Sequence, residues 1–231
     1  MSSRKLVCFP FAGAGASLFR PWVSQLNDHL DVIAVQLPGR EQRFLDTPFS
    51  SVEETIDSLT PEIVPLLHGA EGITLFGHSM GAMLAFELAR RLNRKQGIAD
   101  CRLVVSGSPS PTRPRMDEAT GLGESEFLEQ VERFAGYRHE ALADSELRQI
   151  LLPVLRADVE MHERYFPHLS TPVAIPIICV RGTDDTLVGI EEALAWQEVT
   201  TMPLNYVEVP GGHMYVVSPP PQLFSILRNG Y

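Results

Sequence analysis

Short runs rich in apolar and β-branched residues alternate along this chain with stretches in which apolar side chains recur every three or four positions. The first pattern is typical of strands and the second of helices. Six runs predict strands, at 5–9, 32–37, 72–76, 101–106, 175–180 and 204–209. Most of these runs are apolar on both faces, as in a parallel sheet covered by helices on each side. The pattern therefore predicts an α/β fold with a mostly parallel sheet.

The stretches between the strands predict the helices that would cover this sheet. They lie near 18–29, 51–68, 80–95 and 189–198, with a last helix after the prolines at 219–221. Regular alternation of strands and helices over a chain of this length predicts one α/β domain spanning residues 1–231.

Residues 110–170 interrupt the alternation, because they contain no convincing strand. They begin with a proline-punctuated loop, SPTRPR, and continue as two helical patterns in which Pro153 is expected to kink the second helix. The apolar faces are formed by Phe127, Val131 and Phe134, and by Leu147, Ile150, Leu151 and Val154. A crossover of about 60 residues is unusually long. We therefore expect a helical lid over one edge of the sheet, with ordinary crossover helices as the alternative.

Composition narrows the class of protein further. Hydrophobic residues make up 44% of the chain and charged residues 21%, but no apolar run exceeds the length of a strand, so no membrane partner is expected. Pro10 interrupts the apolar N-terminus, which therefore predicts a strand rather than a signal peptide.

The three cysteines, Cys8, Cys101 and Cys179, lie in predicted strands and indicate buried, reduced thiols in a cytoplasmic protein. A net charge of −10 argues against nucleic acid as a partner.

The most specific motif is G-x-S-x-G, formed by Gly77, Ser79 and Gly81. It follows a predicted strand and precedes a predicted helix, which is the setting of a nucleophile elbow. In such a turn the neighbouring residues must be small, the serine takes a strained backbone conformation, and its hydroxyl stands at the helix N-terminus. The motif predicts Ser79 as a catalytic nucleophile. His78 is adjacent in sequence, points elsewhere and is expected to be structural.

A serine nucleophile needs a base, and the base needs a carboxylate to orient it. His213 follows a late strand in the stretch VPGGHMYV, where two glycines leave the backbone free to direct the imidazole toward Ser79. The carboxylate is expected after the preceding strand, because the chain order in this type of site is serine, acid, histidine. The stretch ICVRGTDDTLV offers both Asp184 and Asp185 there.

Two backbone N–H groups are needed to stabilise the negatively charged oxygen that forms during acyl transfer. Met80, the residue after the candidate nucleophile, supplies the first at a helix N-terminus. The loop after the first strand, FPFAGAGAS, should supply the second, and we name Ala12 as the donor with Phe11 as the alternative. No Cys/His cluster with metal-ligand spacing occurs, so neither a metal nor another cofactor is expected.

Five stretches occur along the chain in this order: CFPFAGAGAS, LPGREQR, GHSMGA, GTDDTLV and GGHMYV. Together they resemble the type II thioesterases, the free-standing editing enzymes of polyketide and nonribosomal peptide synthesis. The resemblance covers nearly the whole chain. It implies an α/β-hydrolase fold with a helical lid, and hydrolysis of acyl groups from the phosphopantetheine arms of carrier proteins. The acid frame of that family, G-x-x-D-x-x-V, falls on Gly182, Asp185 and Val188 and so favours Asp185. The first loop reads FAGAG where the family has two adjacent glycines, which leaves the second N–H donor open.

Four arginines complete the set of candidate site residues. Arg40 and Arg43 follow the second strand, and Arg113 and Arg115 open the insertion. They can form a basic rim that suits an acidic acyl or peptidyl carrier protein, or the phosphate of its arm. Structural salt bridges are the alternative for Arg40 and Arg43. The enzyme itself is expected to be a monomer that meets its carrier protein in trans.

The motifs leave the acyl acceptor open. An acyltransferase or cyclase can use the same three side chains and pass the acyl group to an alcohol or amine instead of water. A generic acyl-CoA thioesterase or carboxylesterase would be indifferent to a carrier protein. A binding module on a catalytically inactive hydrolase fold is disfavoured, because Ser79, Asp185 and His213 are all present.

Overall fold

The computed structural model describes residues 4–26, 28, 30–93, 100–113, 118–135, 140–167 and 172–229. In these residues, one sheet is built from β1 Arg4–Phe9, β2 Leu30–Ala34, β3 Ile73–His78, β4 Cys101–Ser106, β5 Ile177–Gly182 and β6 Asn205–Val209. The strand order is β2-β1-β3-β4-β5-β6, and all neighbours are parallel. The six predicted strands and the parallel sheet are confirmed.

Seven α-helices connect these strands in the described part of the chain. They are α1 Arg20–Leu26, α2 Val52–Leu66, α3 Met80–Asn93, α4 Glu124–Ala135, α5 Ser145–Arg164, α6 Ile190–Leu194 and α7 Pro221–Asn229. Short 3₁₀ helices add Ala16–Phe19, Glu41–Arg43, Glu140–Leu142, Ala195–Val199 and His213–Val217. Among the described residues no helix has both the length and the apolarity needed to cross a membrane.

Alternate side chains of the central strands enter two cores, one on each face of the sheet. In β1, Val7 and Phe9 pack into the larger core, whereas Leu6 and Cys8 pack into the core on the other face. This period of two is the geometry of an extended strand. The larger core contains α2, α3 and Trp196, and the smaller one contains α1 and α7. Burial on both faces explains why the central strands are almost continuously apolar in sequence.

The boundaries of β2 differ from the sequence prediction. The strand was expected over 32–37 and is observed over Leu30–Ala34, at the edge of the sheet. The Val35 N–H still donates to the Cys8 carbonyl at 3.0 Å, but the chain then turns. The side-chain amide of Gln36 satisfies the carbonyls of Leu37 and Arg40 within that turn. An edge strand has only one partner strand, so a side chain can end it early.

The sheet order places its topological switch point between β1 and β3. The chain runs from β1 out to the edge strand β2 and then returns to the other side of β1. The loops that leave the carboxyl ends of β1 and β3 therefore separate, and ligands in open α/β sheets bind in the crevice at such a point. The candidate N–H loop at 9–17 follows β1, and Ser79 follows β3, so both lie at this crevice.

Helices α4 and α5 form the insertion between β4 and β5. The described parts of residues 110–170 contain no strand, as predicted, and α5 is assigned as one helix through Pro153, so the expected kink stays a prediction. The two helices share a small apolar cluster of Ala119, Phe127, Leu128, Leu142, Leu155 and Val159. That the insertion acts as a lid also stays a prediction.

The second half of α5 is fixed to the rest of the protein, whereas the first half is not. Asp158 is fully buried and ion-paired with Arg40, and the Tyr165 hydroxyl donates to Glu87 of α3 at 2.9 Å. By contrast, Leu147 and Ile150 in the first half are each 46% exposed. Apolar burial and buried polar contacts therefore favour a firm C-terminal half and a looser N-terminal half.

We expect amide hydrogen exchange to divide the insertion at the middle of α5. Residues 145–151 and 124–134 should exchange faster than residues 154–164, because segments with little core packing open at low free energy. Strand β3, buried at every position, is the slow reference. Mass spectrometry of peptides from the native protein measures this. Equal protection across the whole insertion would show instead that it is a fixed part of the core.

Candidate active site

Ser79 is held in a strained turn between β3 and α3. It has a φ of +52°, in the left-handed region, which costs a residue other than glycine about 1–3 kcal/mol. A Cβ at Gly77 would lie 1.9 Å from the carbonyl oxygen of Gly81, and a Cβ at Gly81 would lie 2.3 Å from that of Phe9. The Ser79 N–H donates to the Ser106 carbonyl at 2.8 Å. The two glycines are therefore required by close backbone packing, and the surrounding strands hold the serine in its strained conformation.

His213 and Asp185 come together at the carboxyl ends of β6 and β5. His213 begins the 3₁₀ helix after β6, and its Nδ1–H donates to Asp185 Oδ2 at 2.9 Å. The other carboxylate oxygen accepts from the N–H groups of Leu187 and Val188, at 2.9 and 3.1 Å. Asp184 is exposed, and its backbone N–H donates to the Gly211 carbonyl at 3.0 Å. In an imidazole that carries its proton on Nδ1, Nε2 is the nitrogen that can accept a proton.

The environment of Asp185 keeps it charged. Burial of the side chain raises its pKa, but the hydrogen bond and the charge of His213, together with the N–H groups of Leu187 and Val188, lower it more. The net pKa lies below the ordinary aspartate value. A carboxylate that stays ionised over the neutral range can hold the imidazole in one tautomer and stabilise the imidazolium that forms after proton transfer.

Ser79 and His213 line one cavity of about 690 Å³. Its floor is the carboxyl edge of the sheet with the loop Phe11–Gly15, and its walls include side chains of α4 and α5. Most of the lining side chains are apolar, among them Phe11, Leu18, Leu128, Val131, Phe134, Ile150, Leu151, Val154 and Val159. Five of the seven side chains expected on the apolar faces of the insertion thus line the cavity that Ser79 also lines: Val131, Phe134, Ile150, Leu151 and Val154.

Both candidate N–H donors belong to segments that adjoin Ser79. Met80 is the first residue of α3, where the helix dipole is positive. The close contact of Gly81 with the carbonyls of Phe9 and Pro10 brings the start of α3 against the loop after β1. Ala12, which belongs to this loop, lines the cavity with Ser79. The arrangement suits an anionic oxygen held between the two segments.

His78 is buried behind the candidate base. Its Nδ1 shares a 2.8 Å hydrogen bond with the Ser106 hydroxyl, which contacts the Tyr215 hydroxyl, and that hydroxyl donates to the Val180 carbonyl. The ring centre lies 5.1 Å from that of His213. Burial, followed by the proximity of His213, lowers the pKa of His78 well below its ordinary value. A neutral His78 adds no positive charge beside His213, which fits the structural role predicted for it.

The three candidate arginines that the structure describes all take part in ion pairs. Arg40 is only 8% exposed and makes a two-point ion pair with Asp158, which is the structural salt bridge named as its alternative. It also lines the cavity, so a contact of Arg40 with substrate or carrier stays a prediction. The Arg40 guanidinium is paired with a buried carboxylate inside the fold.

Two of the other candidate arginines also lie in ion pairs. Arg43 pairs with Asp46 at 2.6 Å and lies 3.5 Å from Glu62, and Arg113 pairs with Glu198. Arg115 lies outside the described residues. A carrier contact through Arg43, Arg113 or Arg115 stays a prediction.

Asp158 is the residue that sequence reasoning missed. It lies on α5 one helical turn from Val154 and on the same buried side as Met161. An acidic side chain on an otherwise apolar helical face was the available signal, because such a charge is buried only when it is paired.

Comparison with known proteins gives consistent matches over the whole length. A family model described as a thioesterase domain matches residues 4–230. Gramicidin S biosynthesis protein GrsT of Aneurinibacillus migulanus is 32% identical over 92% of this chain and 82% of its own. The RedJ thioesterase of the Streptomyces coelicolor prodiginine pathway is 32% identical, with a TM-score of 0.88 over 100% of this chain and 91% of its own. The type II thioesterase BorB of the borrelidin cluster is 32% identical, with a TM-score of 0.84 over 97% and 89%. The resemblance drawn from the motifs and the α/β-hydrolase fold class are confirmed.

Exchange of Asp185 for asparagine should lower turnover by about 10⁴-fold, because an amide N–H₂ facing Nδ1 favours the wrong imidazole tautomer. Asp184→Asn is the matched control one residue away and should change turnover little, since that side chain is exposed. Steady-state hydrolysis of an acyl thioester by both variants measures the difference. The opposite ranking would assign the acid to Asp184.

Proposed function

Because the chain belongs to the thioesterase family, we propose that it hydrolyses acyl groups from the phosphopantetheine arms of carrier proteins, for editing or release in polyketide or nonribosomal peptide synthesis. Similarity to GrsT, RedJ and BorB over nearly the whole chain supports this pathway class. One structural observation carries the proposal: a strained Ser79 and the His213–Asp185 pair open together into an apolar cavity beneath the helical insertion.

The proposed reaction begins with attack of Ser79 Oγ on the thioester carbonyl. His213 Nε2 accepts the hydroxyl proton as the bond forms, and Asp185 stabilises the resulting imidazolium through Nδ1–H. The carbonyl oxygen becomes negatively charged and accepts hydrogen bonds from the N–H groups of Met80 and Ala12. Collapse of the tetrahedral intermediate breaks the C–S bond, and His213 returns its proton to the departing thiolate. The acyl group is then an ester of Ser79.

Water completes the proposed cycle. His213 accepts a proton from a water molecule as the water oxygen attacks the acyl-serine carbonyl. The second tetrahedral intermediate uses the same two N–H groups. When it collapses, His213 protonates Ser79 Oγ, and a free carboxylic acid leaves.

The cavity is suited to the acyl part of such a substrate. A volume of about 690 Å³ with a mainly apolar lining fits a hydrocarbon-rich acyl chain. Burying that chain against α4 and α5 would place the thioester carbonyl at Ser79. The first half of α5 is loosely packed, so this wall of the cavity would move away from the floor to admit acyl groups of different length.

Two groups of related activities differ from this proposal. The first group transfers the acyl group to an acceptor other than water, and the second group does not require a carrier protein. An acyltransferase or cyclase would yield an ester, amide or lactone instead of a free acid when an acceptor is offered. A broad acyl-CoA thioesterase or a carboxylesterase would act equally well without a carrier protein. Analysis of products with and without an added alcohol or amine separates the first group, and a substrate panel separates the second.

We expect kcat/KM to be higher for an acyl group on a phosphopantetheinylated carrier protein than for the matching acyl-CoA or simple ester. The carrier adds protein contacts outside the cavity, and these raise the rate of productive encounter. The product should be the free acid. Ser79→Ala is the control for enzymatic turnover and should lower it by roughly 10⁶-fold. Equal kcat/KM for carrier and coenzyme A substrates would contradict carrier recognition and favour an acyl-CoA thioesterase.

Arg113 offers a separate test of where the carrier binds. It follows β4 at the carboxyl edge of the sheet, and its charge is shared with Glu198 at the surface. Arg113→Glu should lower kcat/KM about threefold to tenfold for the carrier substrate at low salt, without changing turnover of a small ester. Arg4→Glu is the matched control, because Arg4 also pairs with an acid, Asp100, but lies at the opposite edge of the sheet. Equal effects of the two changes would exclude a specific contact at Arg113.

A further inference from the structure

A fully buried carboxylate connects the helical insertion to the loop after β1. Asp158, in the second half of α5, accepts a hydrogen bond from the Gly13 N–H at 2.7 Å through Oδ2. The same oxygen accepts from Arg40 Nη1 at 2.5 Å, and Oδ1 accepts from Arg40 Nη2 at 2.8 Å. Three donors from two different loops therefore converge on one side chain of the insertion.

Arg40 pairs with this carboxylate through two hydrogen bonds and itself belongs to the same junction. Its guanidinium also donates to the carbonyls of Ala14 and Pro38, at 3.2 Å each. A buried carboxylate without a cation would be expelled from the core or protonated. The ion pair alone is weak evidence for a role in stability, because apolar side chains can replace a buried ion pair with little loss. The hydrogen bond to Gly13 is the contact that apolar side chains could not replace.

The Gly13 N–H is one peptide plane away from the candidate donor Ala12. A peptide unit is rigid, so fixing the direction of the Gly13 N–H fixes the plane that joins Ala12 to Gly13. Gly13 has a φ of +81°, and a Cβ on it would lie 3.1 Å from Leu155 of α5. Ala12 itself packs against both the main core and the apolar cluster of the insertion. The Ala12 N–H belongs to the preceding peptide unit, and only the two backbone torsions of Ala12 separate it from this plane. Contacts with α5 therefore restrict where the Ala12 N–H can lie.

We propose that Asp158 is a positioning residue for the reaction: through Gly13 it holds the loop that carries the Ala12 N–H, so the oxyanion-binding site is complete only when α5 is in place. This inference rests on the proposed function, since it assigns a role within that same reaction. It gives the insertion a part in stabilising charge, in addition to enclosing the acyl chain.

The test compares Asp158→Asn with Asp158→Leu, each in an Arg40→Gln background. Neither variant has the ion pair, and the two side chains have nearly the same branched shape. Asparagine retains a carbonyl oxygen that can accept from the Gly13 N–H, whereas leucine has no acceptor. Hydrolysis of a short acetyl ester is measured, because its acyl group does not reach the side chains of α4 and α5. If leucine is too large for the variant to fold, alanine takes its place with the same expected loss.

We expect kcat of the leucine variant to be about tenfold to a hundredfold below that of the asparagine variant, with little change in KM, because a displaced N–H donor loses part of its effect on the charged intermediate. The rate of phosphonylation of Ser79 by a fluorophosphonate, whose adduct carries an oxygen in the same site, should fall in parallel. The final extent of labelling measures the fraction of each variant that is folded and able to react. Thermal unfolding of both variants shows whether stability differs.

Glu160→Gln is the control on the same helix. It removes an ion pair of α5 with Arg164 that does not reach the β1 loop, and kcat should stay unchanged. Equal kcat in folded asparagine and leucine variants would overturn the positioning role of Asp158, and so would a loss that appears only in KM. A wild-type protein that neither hydrolyses the ester nor reacts with the fluorophosphonate would instead overturn the proposed function.

Discussion

The close packing of backbone around Ser79 is the constraint on which the rest of the site depends. A left-handed serine is unfavourable in isolation, and it persists because Gly77 and Gly81 let β3, α3 and the end of β1 approach to distances that no Cβ would permit. The same approach brings the N-terminus of α3 against the loop after β1. One steric requirement thereby holds Ser79 in its turn and brings together the two segments that carry the candidate N–H donors.

The remaining chemistry follows from the direction of the strands. Because all six strands are parallel, the loops after β1, β3, β5 and β6 meet at one edge, so residues far apart in sequence come together. His213 and Asp185 meet there without any distortion of the sheet, and the backbone amides of Leu187 and Val188 keep the carboxylate ionised. The insertion between β4 and β5 then covers the same edge with an apolar surface. The position of the cavity and the position of the candidate base His213 thus follow from the sheet topology.

Sequence alone was sufficient for the features that have a local pattern. Six strands, the helical insertion and the strand-turn-helix setting of Ser79 could be read from periodicity and glycine spacing. The choice of Asp185 over Asp184 could not, because adjacent aspartates differ only in which side chain the turn directs inward, and a family resemblance was needed to favour one. The end of β2 was misplaced: the strand ends at Ala34, and in the turn that follows the Gln36 side chain donates to the carbonyls of Leu37 and Arg40, contacts that propensity does not reveal.

The roles of the arginines were the least accessible from sequence. An arginine near a catalytic edge looks the same in sequence whether it faces solvent or a buried carboxylate. Arg40 meets Asp158, 118 residues later in the chain, and only the packing of α5 against the β1 loop reveals that contact. This ion pair joins the loop after β2 to the insertion, a connection that neither residue reveals in the sequence.

The most direct test of the account is identification of the covalent intermediate. The protein is mixed with an acylated carrier protein, quenched in acid within milliseconds, and digested for peptide mass spectrometry. The account predicts that the acyl mass appears on the peptide containing Ser79 and is assigned to that residue by fragmentation. An acyl group on a different residue, or turnover with no acylated peptide at any time point, would contradict it.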